Sequence, residues 1–176
     1  VGDVIVAGVF SGETDFGGTS INVSSVEVFI AKLDGMSGNL KWVVHGGGGG
    51  TEQVTDVVVD NAGNIYVSGI TPNNVLFGTN SYSIVGTQDS FVVKLSSGGA
   101  VQSVSGYGIA NQAVSLTGLA VDGNGDLYAG GSYEGTMAKN GWSITANKGG
   151  ADLFFIKEGS TSSNQWAATC LLYTSD

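Results

Sequence analysis

Short apolar runs alternate with short polar, glycine-containing segments along the chain, and the apolar runs predict β-strands. The clearest case is residues 56–69, where Val57-Val58-Val59 and Ile65-Tyr66-Val67 flank the turn Asp60-Asn61-Ala62-Gly63. Runs rich in Val, Ile and Tyr favour strands, whereas Asp, Asn and Gly favour tight turns. A run that is apolar at successive positions predicts a strand with both faces covered. We therefore predict an all-β fold.

The same pattern returns with a period of about sixty residues. Residues 56–69 are repeated as residues 118–131, and the second half of the segment is repeated at residues 2–8. Each unit contains four predicted strands, but the first unit lacks its opening strand. An insert between the second and third strands carries an aromatic residue and a glycine, as in Phe16-Gly17 and Phe77-Gly78. We predict that this insert forms a small extra hairpin.

Four antiparallel strands per repeat, joined by short links, predict the blades of a β-propeller, in which each sheet needs a neighbour on both faces. We expect residues 1–169 to form an open propeller fragment of about 2.7 four-stranded antiparallel blades, with units at about 1–45, 51–107 and 113–169. Residues 170–176 can be encoded by the end of a common transposon-based sequencing adapter and are predicted to be a non-native tail. The alternative is a natural tail with its two leucines in an edge strand.

The composition and the net charge of the chain limit the classes of partner that the sequence predicts. The chain has 41% hydrophobic and 12% charged residues, which provides enough apolar residues for a core and excludes a charge-driven disordered chain. The net charge of -9 disfavours nucleic acid and anionic membrane surfaces as partners. No run approaches the roughly 18 apolar residues of a membrane-spanning helix. Cys170 is the only cysteine, so no internal disulfide is expected.

One turn has the alternating oxygen ligands of a calcium loop: Asp122, Asn124 and Asp126 are separated by single residues. An EF-hand loop needs glycine at its sixth position, which here is Leu127, and it needs flanking helices. The second unit has Ala62 at the position of Asn124. The pattern favours a hairpin turn, and a calcium site is the alternative. No other metal or cofactor is predicted.

His45 and the glycine run that follows it do not predict catalysis. His45 is the only histidine, and the repeat aligns it with Tyr107, which indicates a space-filling residue at a strand end. Residues 46–50 are all glycine but lack the Lys-Ser/Thr ending of a phosphate-binding loop. We interpret them as a flexible link between units, and no catalytic residue is predicted.

An acidic residue precedes each third strand, and a lysine lies five positions later. Such an offset places the two side chains on opposite faces of the strand, so the pattern allows structural ion pairs between neighbouring units. Two tryptophans at matching places in the fourth strands are predicted to be packing residues rather than platforms for sugar rings. These residues are Glu27, Asp89 and Asp152, Lys32, Lys94 and Lys157, and Trp42 and Trp166.

Five segments carry a resemblance to a known family: residues 39–42, 57–60, 64–69, 77–79 and 89–95. They are similar to the SBBP-type β-propeller repeat, and the resemblance covers nearly all of residues 1–169. It implies a structural or binding scaffold within a large secreted or cell-surface protein, with no catalytic residue to transfer. The third unit departs from the family pattern in its insert and its fourth strand.

These observations predict a non-enzymatic repeat module that is structural or binds a protein or carbohydrate ligand. Its expected partners include the remaining blades of the same propeller. The alternative is a fragment of a propeller enzyme, a lyase or hydrolase, whose active residues lie in other blades. Repetition of the same residues in every unit favours the module, because propeller enzymes place unrepeated charged groups around their central channel.

Overall fold

The computed structural model describes residues 2–147, 150–159 and 165–170. Every regular element in this part of the chain is a β-strand, and all strand pairs are antiparallel. The first sheet contains β1 (Val4–Asp15), β2 (Ser20–Leu33) and β3 (Leu40–Gly46). The second sheet contains β4 (Gln53–Val59), β5 (Ile65–Thr71), β8 (Asp89–Leu95) and β9 (Val101–Tyr107). The third contains β10 (Val114–Val121), β11 (Leu127–Tyr133), β14 (Asp152–Glu158) and β15 (Trp166–Cys170).

The predicted all-β fold and the predicted strands of each unit are confirmed. The inserts of the second and third units form the small hairpins β6–β7 (Val75–Phe77, Asn80–Tyr82) and β12–β13 (Thr136–Lys139, Trp142–Thr145). The separate hairpin predicted for the first unit is wrong, because β1 and β2 continue through the insert. A bulge at Gly12, whose φ is 67°, lets their pairing resume and run to the tip.

The three sheets pack face to face, and each interface contains one hydrophobic core. Val28 and Ile30 of the first sheet pack against a buried face of the second sheet that includes Ile65, Val67 and Phe91. The opposite face of the second sheet packs against the third sheet through a separate core. Its main members are Tyr66, Val92 and Tyr107 from the second sheet and Leu127, Ala129, Phe154 and Ile156 from the third.

The continuous apolar run of β4 is covered on both faces, as its sequence predicts. Val57 packs against the core shared with the first sheet, and Val58 packs against the core shared with the third sheet. Both side chains are half-buried rather than fully buried, because β4 is an edge strand of its sheet. Val59, at the end of the strand, is exposed. The second sheet is therefore the central layer of a stack.

The first strands take part in both contacts between sheets: β4 contacts β1 and β10, and β10 also contacts β5 and β8. The Asp56 carboxylate accepts a hydrogen bond of 2.7 Å from the Leu119 backbone N–H and thereby joins β4 to β10. Buried Ser90 donates to the Val114 carbonyl and accepts from the Leu116 N–H, at 2.9 and 2.7 Å. Hydrogen bonds from β4 and from β8 therefore join the second sheet to β10 of the third sheet.

The glycines from Gly46, the last residue of β3, to Gly50 connect the first and second units, and most of them are tightly packed, although Gly49 has open space around it. A Cβ atom on Gly46 would lie 2.4 Å from the Leu76 carbonyl oxygen and 2.6 Å from the Phe77 ring. Gly47 exchanges two backbone hydrogen bonds of 3.1 Å with Leu76. The glycines let the β6–β7 hairpin of the second unit lie directly against the chain leaving the first unit.

The two outermost sheet faces of the stack expose apolar side chains. We call the face of the first sheet that points away from the second sheet the leading face; it exposes Val4 and Val6. The corresponding outer face of the third sheet, the trailing face, exposes Leu153, Phe155 and Trp166. Val9 of β1 is also exposed.

Cys170 ends β15, and residues 171–176 lie outside the described part of the chain. The non-native origin proposed for residues 170–176 stays a prediction. In the described ranges we find no helix with the length and apolar character that crossing a bilayer requires.

Candidate functional site

The polar end of each sheet is organised by an aspartate at the start of a hairpin turn. Between β4 and β5, Asp60 Oδ1 accepts hydrogen bonds from the Ala62 and Asn64 backbone N–H groups, at 2.9 and 2.8 Å. Asp60 Oδ2 accepts from the Asn64 side-chain amide and from the Tyr66 hydroxyl, at 2.8 and 3.4 Å. Gly63 completes the turn with a φ of 82°.

The turn between β10 and β11 repeats this arrangement at the candidate calcium ligands. Asp122 Oδ1 accepts from the Asn124 and Asp126 backbone N–H groups, and Asp122 Oδ2 accepts from the Tyr128 hydroxyl at 3.2 Å. The Asp126 carboxylate forms an ion pair of 2.7 Å with Lys157. The structure thus gives Asp122 the hydrogen-bonding role of a hairpin turn. The described residues contain no cluster of three or more acidic, histidine or cysteine side chains suited to a metal ion.

In the second and third sheets, a lysine on the third strand of the sheet reaches this polar end. Lys94 Nζ lies 5.1 Å from the centre of the Tyr66 ring, and Lys157 Nζ lies 5.4 Å from the centre of the Tyr128 ring. In both sheets the lysine is paired directly across the strands with the tyrosine beneath it. A cation over an aromatic face is attracted by the electron density of the ring. Aspartate, tyrosine and lysine therefore form a repeated polar unit.

The three lysines differ in their acidic partners. Lys32 pairs with Asp3 at 3.2 Å, and Lys157 pairs with Asp126 at 2.7 Å. The residue that corresponds to Asp3 and Asp126 in the second sheet is Asn64, and no carboxylate oxygen of the described residues lies within 4.0 Å of Lys94 Nζ. The second sheet therefore presents an ammonium group that no described carboxylate contacts directly, although its charge lowers the pKa of Asp60.

Lys94 opens into a cleft between the turns of the second and third sheets. The cleft has a volume of about 460 Å3. A smaller cavity of about 170 Å3 also contacts Lys94 and Tyr66 and extends toward Ser103 and Ser105. The main lining residues of the larger cleft are Asp60, Asn61, Asn64, Tyr66, Lys94 and Asn124. Its walls are therefore rich in groups that donate and accept hydrogen bonds.

Asp60 remains ionised beside this cleft. Partial burial raises the pKa of Asp60, but hydrogen bonds from Asn64 and Ala62 and the charge of Lys94 outweigh this effect. The pKa of Asp60 consequently lies below its usual value. Because four donors already occupy the Asp60 carboxylate, the free hydrogen-bonding capacity of the cleft is centred on Lys94 and the amide side chains.

Ion pairs between neighbouring sheets, which the acid–lysine spacing allows, are not how these residues are used in the first two units. Asp89 accepts hydrogen bonds from the Tyr82 hydroxyl and from the Val85 and Gly86 backbone N–H groups of its own insert. Glu27 contacts His45 at 2.6 Å within the first sheet. In the third unit, the Asp152 carboxylate accepts from the Asn147 N–H at 2.6 Å. These acids anchor the inserts and strand ends of their own units.

In the structure, His45 does not occupy the position equivalent to Tyr107 that the repeat alignment predicted. His45 pairs with Phe29, and the equivalent Phe91 pairs with Gly106 rather than Tyr107. The turn before β3 is one residue longer than the turn before β9, which shifts the alignment of the fourth strands by one position. The His45 ring packs edge-on to Phe10 at 6.0 Å.

The two tryptophans occupy the matching positions that the sequence predicts. Trp42 pairs with Lys32, and Trp166 pairs with Lys157. Trp42 packs against the core between the first and second sheets and lies against Gly99, which has no room for a side chain beneath the ring. Trp166 lies on the trailing face and is 44% exposed. The packing role is confirmed for Trp42, and for Trp166 it stays a prediction.

Sequence reasoning did not single out the cleft around Lys94. The signal was the exchange of an aspartate for Asn64 at a position that faces a lysine in every unit. This exchange gains meaning only when the structure shows that the corresponding aspartates, Asp3 and Asp126, form ion pairs with Lys32 and Lys157. No family model matches the chain, and a search of curated proteins returns no match.

Proposed function

We propose that the chain is a non-enzymatic β-propeller repeat module of a secreted or cell-surface protein. In this proposal its three sheets are successive blades, and further sheets of the same kind cover its two outer faces. The closed ring presents the polar turn ends of its blades as a binding surface for a protein or carbohydrate ligand. The resemblance to the SBBP-type repeat and the face-to-face stacking of successive sheets support this function.

One observation carries the proposal: each outer face is equivalent to a face that is buried inside the stack. On the leading face, Val4 and Val6 pair with Leu33 and Ala31, just as Ile65 and Val67 pair with Leu95 and Val93. Ile65 and Val67 are buried against the first sheet, whereas Val4 is 49% exposed. The leading face thus has the pattern that a preceding sheet covers elsewhere.

The trailing face has the complementary property. Phe155 corresponds by strand register to Val92, which packs into the core between the second and third sheets. Val92 is 3% exposed and Phe155 is 52% exposed. Trp166 likewise corresponds to Trp42, which the next sheet covers. A leading face and a trailing face therefore fit each other in the way that successive sheets of this chain do.

The leading face also contains a groove of about 280 Å3 that suits an incoming side chain. Its walls include Val6, Phe16, Phe29 and Leu40. Phe16 lies 5.0 Å from Phe29, centre to centre, and so covers part of the face. Burying such apolar surface is worth roughly 25 cal/mol per Å2, which favours association of the two faces.

Self-association of the isolated chain tests this proposal. We expect the apparent mass in sedimentation equilibrium to rise with protein concentration, because leading and trailing faces of different copies bind each other. Val6→Lys or Phe155→Lys should each weaken this association by at least about tenfold, since each places an unpaired charge in an apolar contact.

Met36→Lys is the matched control. Met36 is 85% exposed in the turn between β2 and β3 and lies on neither outer face. Lysine lowers the net negative charge in all three variants, so general charge repulsion cannot account for weaker association. A wild-type chain that stays monomeric across the concentration range, or equal association of the three variants, would contradict the proposal.

A further inference from the structure

Lys94 differs from its two counterparts by one partner. The Asp3 and Asp126 carboxylates neutralise Lys32 and Lys157, whereas the second sheet offers the neutral amide of Asn64. The side-chain amide of Asn64 is already bound to Asp60 at 2.8 Å. The repeat therefore supplies an internal reference: in two of three sheets a carboxylate occupies the place beside this lysine.

The surroundings of Lys94 keep its ammonium group accessible. Lys94 is half-buried, and Lys94 and Tyr66 line both cavities. A lysine ammonium has three N–H donors. None of the hydrogen bonds or ion pairs found in the described ranges engages them. A ligand can enter the cleft and accept these donors without displacing a protein group.

The lining of the cleft distinguishes among anionic ligands. Asn61, from the second sheet, and Asn124, from the third sheet, bring amide groups from two separate turns to the same opening. Amides both donate and accept hydrogen bonds, which matches a ligand rich in hydroxyl groups. The volume of about 460 Å3 lies within the range of small-molecule sites. An apolar anion would make no hydrogen bonds to these amide groups.

We propose that the cleft between the second and third sheets binds an acidic sugar, whose carboxylate contacts Lys94 and whose hydroxyl groups contact the asparagine side chains. The ligand carboxylate takes the position that Asp3 and Asp126 occupy beside the other two lysines. This inference rests on the proposed binding function and names its ligand class. The cleft lies within this chain, so binding does not require further blades.

The charge of the whole chain sets the conditions for binding. The net charge of -9 repels anions at long range, and salt screens this repulsion. Attraction to Lys94 acts at contact distance and in a partly enclosed cleft, where screening is weaker. We therefore choose a constant ionic strength near physiological for the test.

Isothermal titration calorimetry of the full chain with sodium galacturonate tests the inference. We expect saturable binding, and we expect neutral galactose and sodium acetate each to bind at least about tenfold more weakly, because each lacks one of the two contacts. Lys94→Gln should reduce galacturonate affinity by at least about tenfold. Asn64→Asp should do the same, because the new carboxylate would neutralise Lys94 as in the other sheets.

Lys41→Gln is the control, since it removes an equal charge from β3 in the first sheet, away from the cleft lining. It should leave galacturonate affinity unchanged, and equal melting temperatures should show that the variants are folded. Absence of galacturonate binding, or binding that Lys94→Gln and Asn64→Asp leave intact, would overturn the inference. Acetate binding as tightly as galacturonate would overturn the sugar assignment. Self-association is a separate readout, so failure here leaves the repeat module standing.

Discussion

At the residue scale, a few buried polar groups determine how neighbouring units fit together. Tyr107, at the end of β9, is 2% exposed and lies beneath Lys139 of the next unit, whose Nζ is 3.9 Å from the centre of the ring. Lys139 also pairs with Glu158 at 2.7 Å. Burial raises the pKa of Tyr107 well above its usual value, and the neighbouring charge of Glu158 raises it further.

Tyr107 should therefore limit stability at alkaline pH. A tyrosine whose pKa is raised by folding stabilises the folded state below its unfolded pKa of about 10, and this contribution is lost as pH rises above that value. We expect Tyr107→Phe to unfold at higher pH than the wild type in circular dichroism titrations. If absorbance showed Tyr107 ionising near its ordinary pKa while the fold stays intact, the buried placement would be wrong.

Individual residues differ in whether their roles could be predicted from the sequence. The turn aspartates Asp60 and Asp122 were predictable, because their hydrogen bonds are local. The lack of an ion pair at Lys94 was not, because it depends on Asn64 standing where Asp3 and Asp126 form ion pairs with the other two lysines. The tight packing of Gly46 was also hidden, since Leu76 and Phe77 reach it from the next unit.

At the scale of elements, the positions of the strands follow from the apolar pattern of the sequence. The way in which the strands pair with one another does not. The runs around Val57 and Phe91 predict β4 and β8 because strand periodicity is a local property. The insert of the first unit was predicted as a separate hairpin, yet a bulge at Gly12 merges it with β1 and β2. A bulge depends on cross-strand pairing, which one strand alone does not specify.

Val58 tests the assignment of β4 to two cores. Val58→Asp should destabilise the chain by about 2 kcal/mol or more, because it places a carboxylate against the apolar core between the second and third sheets. Val59→Asp is the matched control, since Val59 is the next residue of the same strand and is 46% exposed. Urea unfolding measures both variants. Equal stability of the two would show that Val58 does not contact this core.

At the scale of the whole molecule, one interface pattern occurs twice inside the chain and is available once more at its outer faces. The first and second sheets meet as the second and third sheets do, with the cores offset by one unit. The repeat and the need for neighbours were predictable from the sequence. The direction of stacking was not predictable, because it depends on which face of each sheet packs against the preceding unit and which against the following unit.

In the proposed stacking, this direction makes the outer contact heterologous: a leading face would bind a trailing face, and neither would bind its own kind. Val6→Lys blocks only the leading face, and Phe155→Lys blocks only the trailing face. In a solution of one variant alone, every copy has the same altered face. The intact face of one copy therefore finds no intact complementary face on another copy. A mixture of the two restores one complete contact and no more.

Sedimentation velocity of the two variants, separately and mixed in equal amounts, is the most direct test of successive stacking. We expect each variant alone to sediment as a monomer and the mixture to form a one-to-one dimer without larger species. Met36→Lys, measured beside them, should still form the larger species of the wild type. A mixture that stays monomeric, or a single variant that dimerises with itself, would contradict the account.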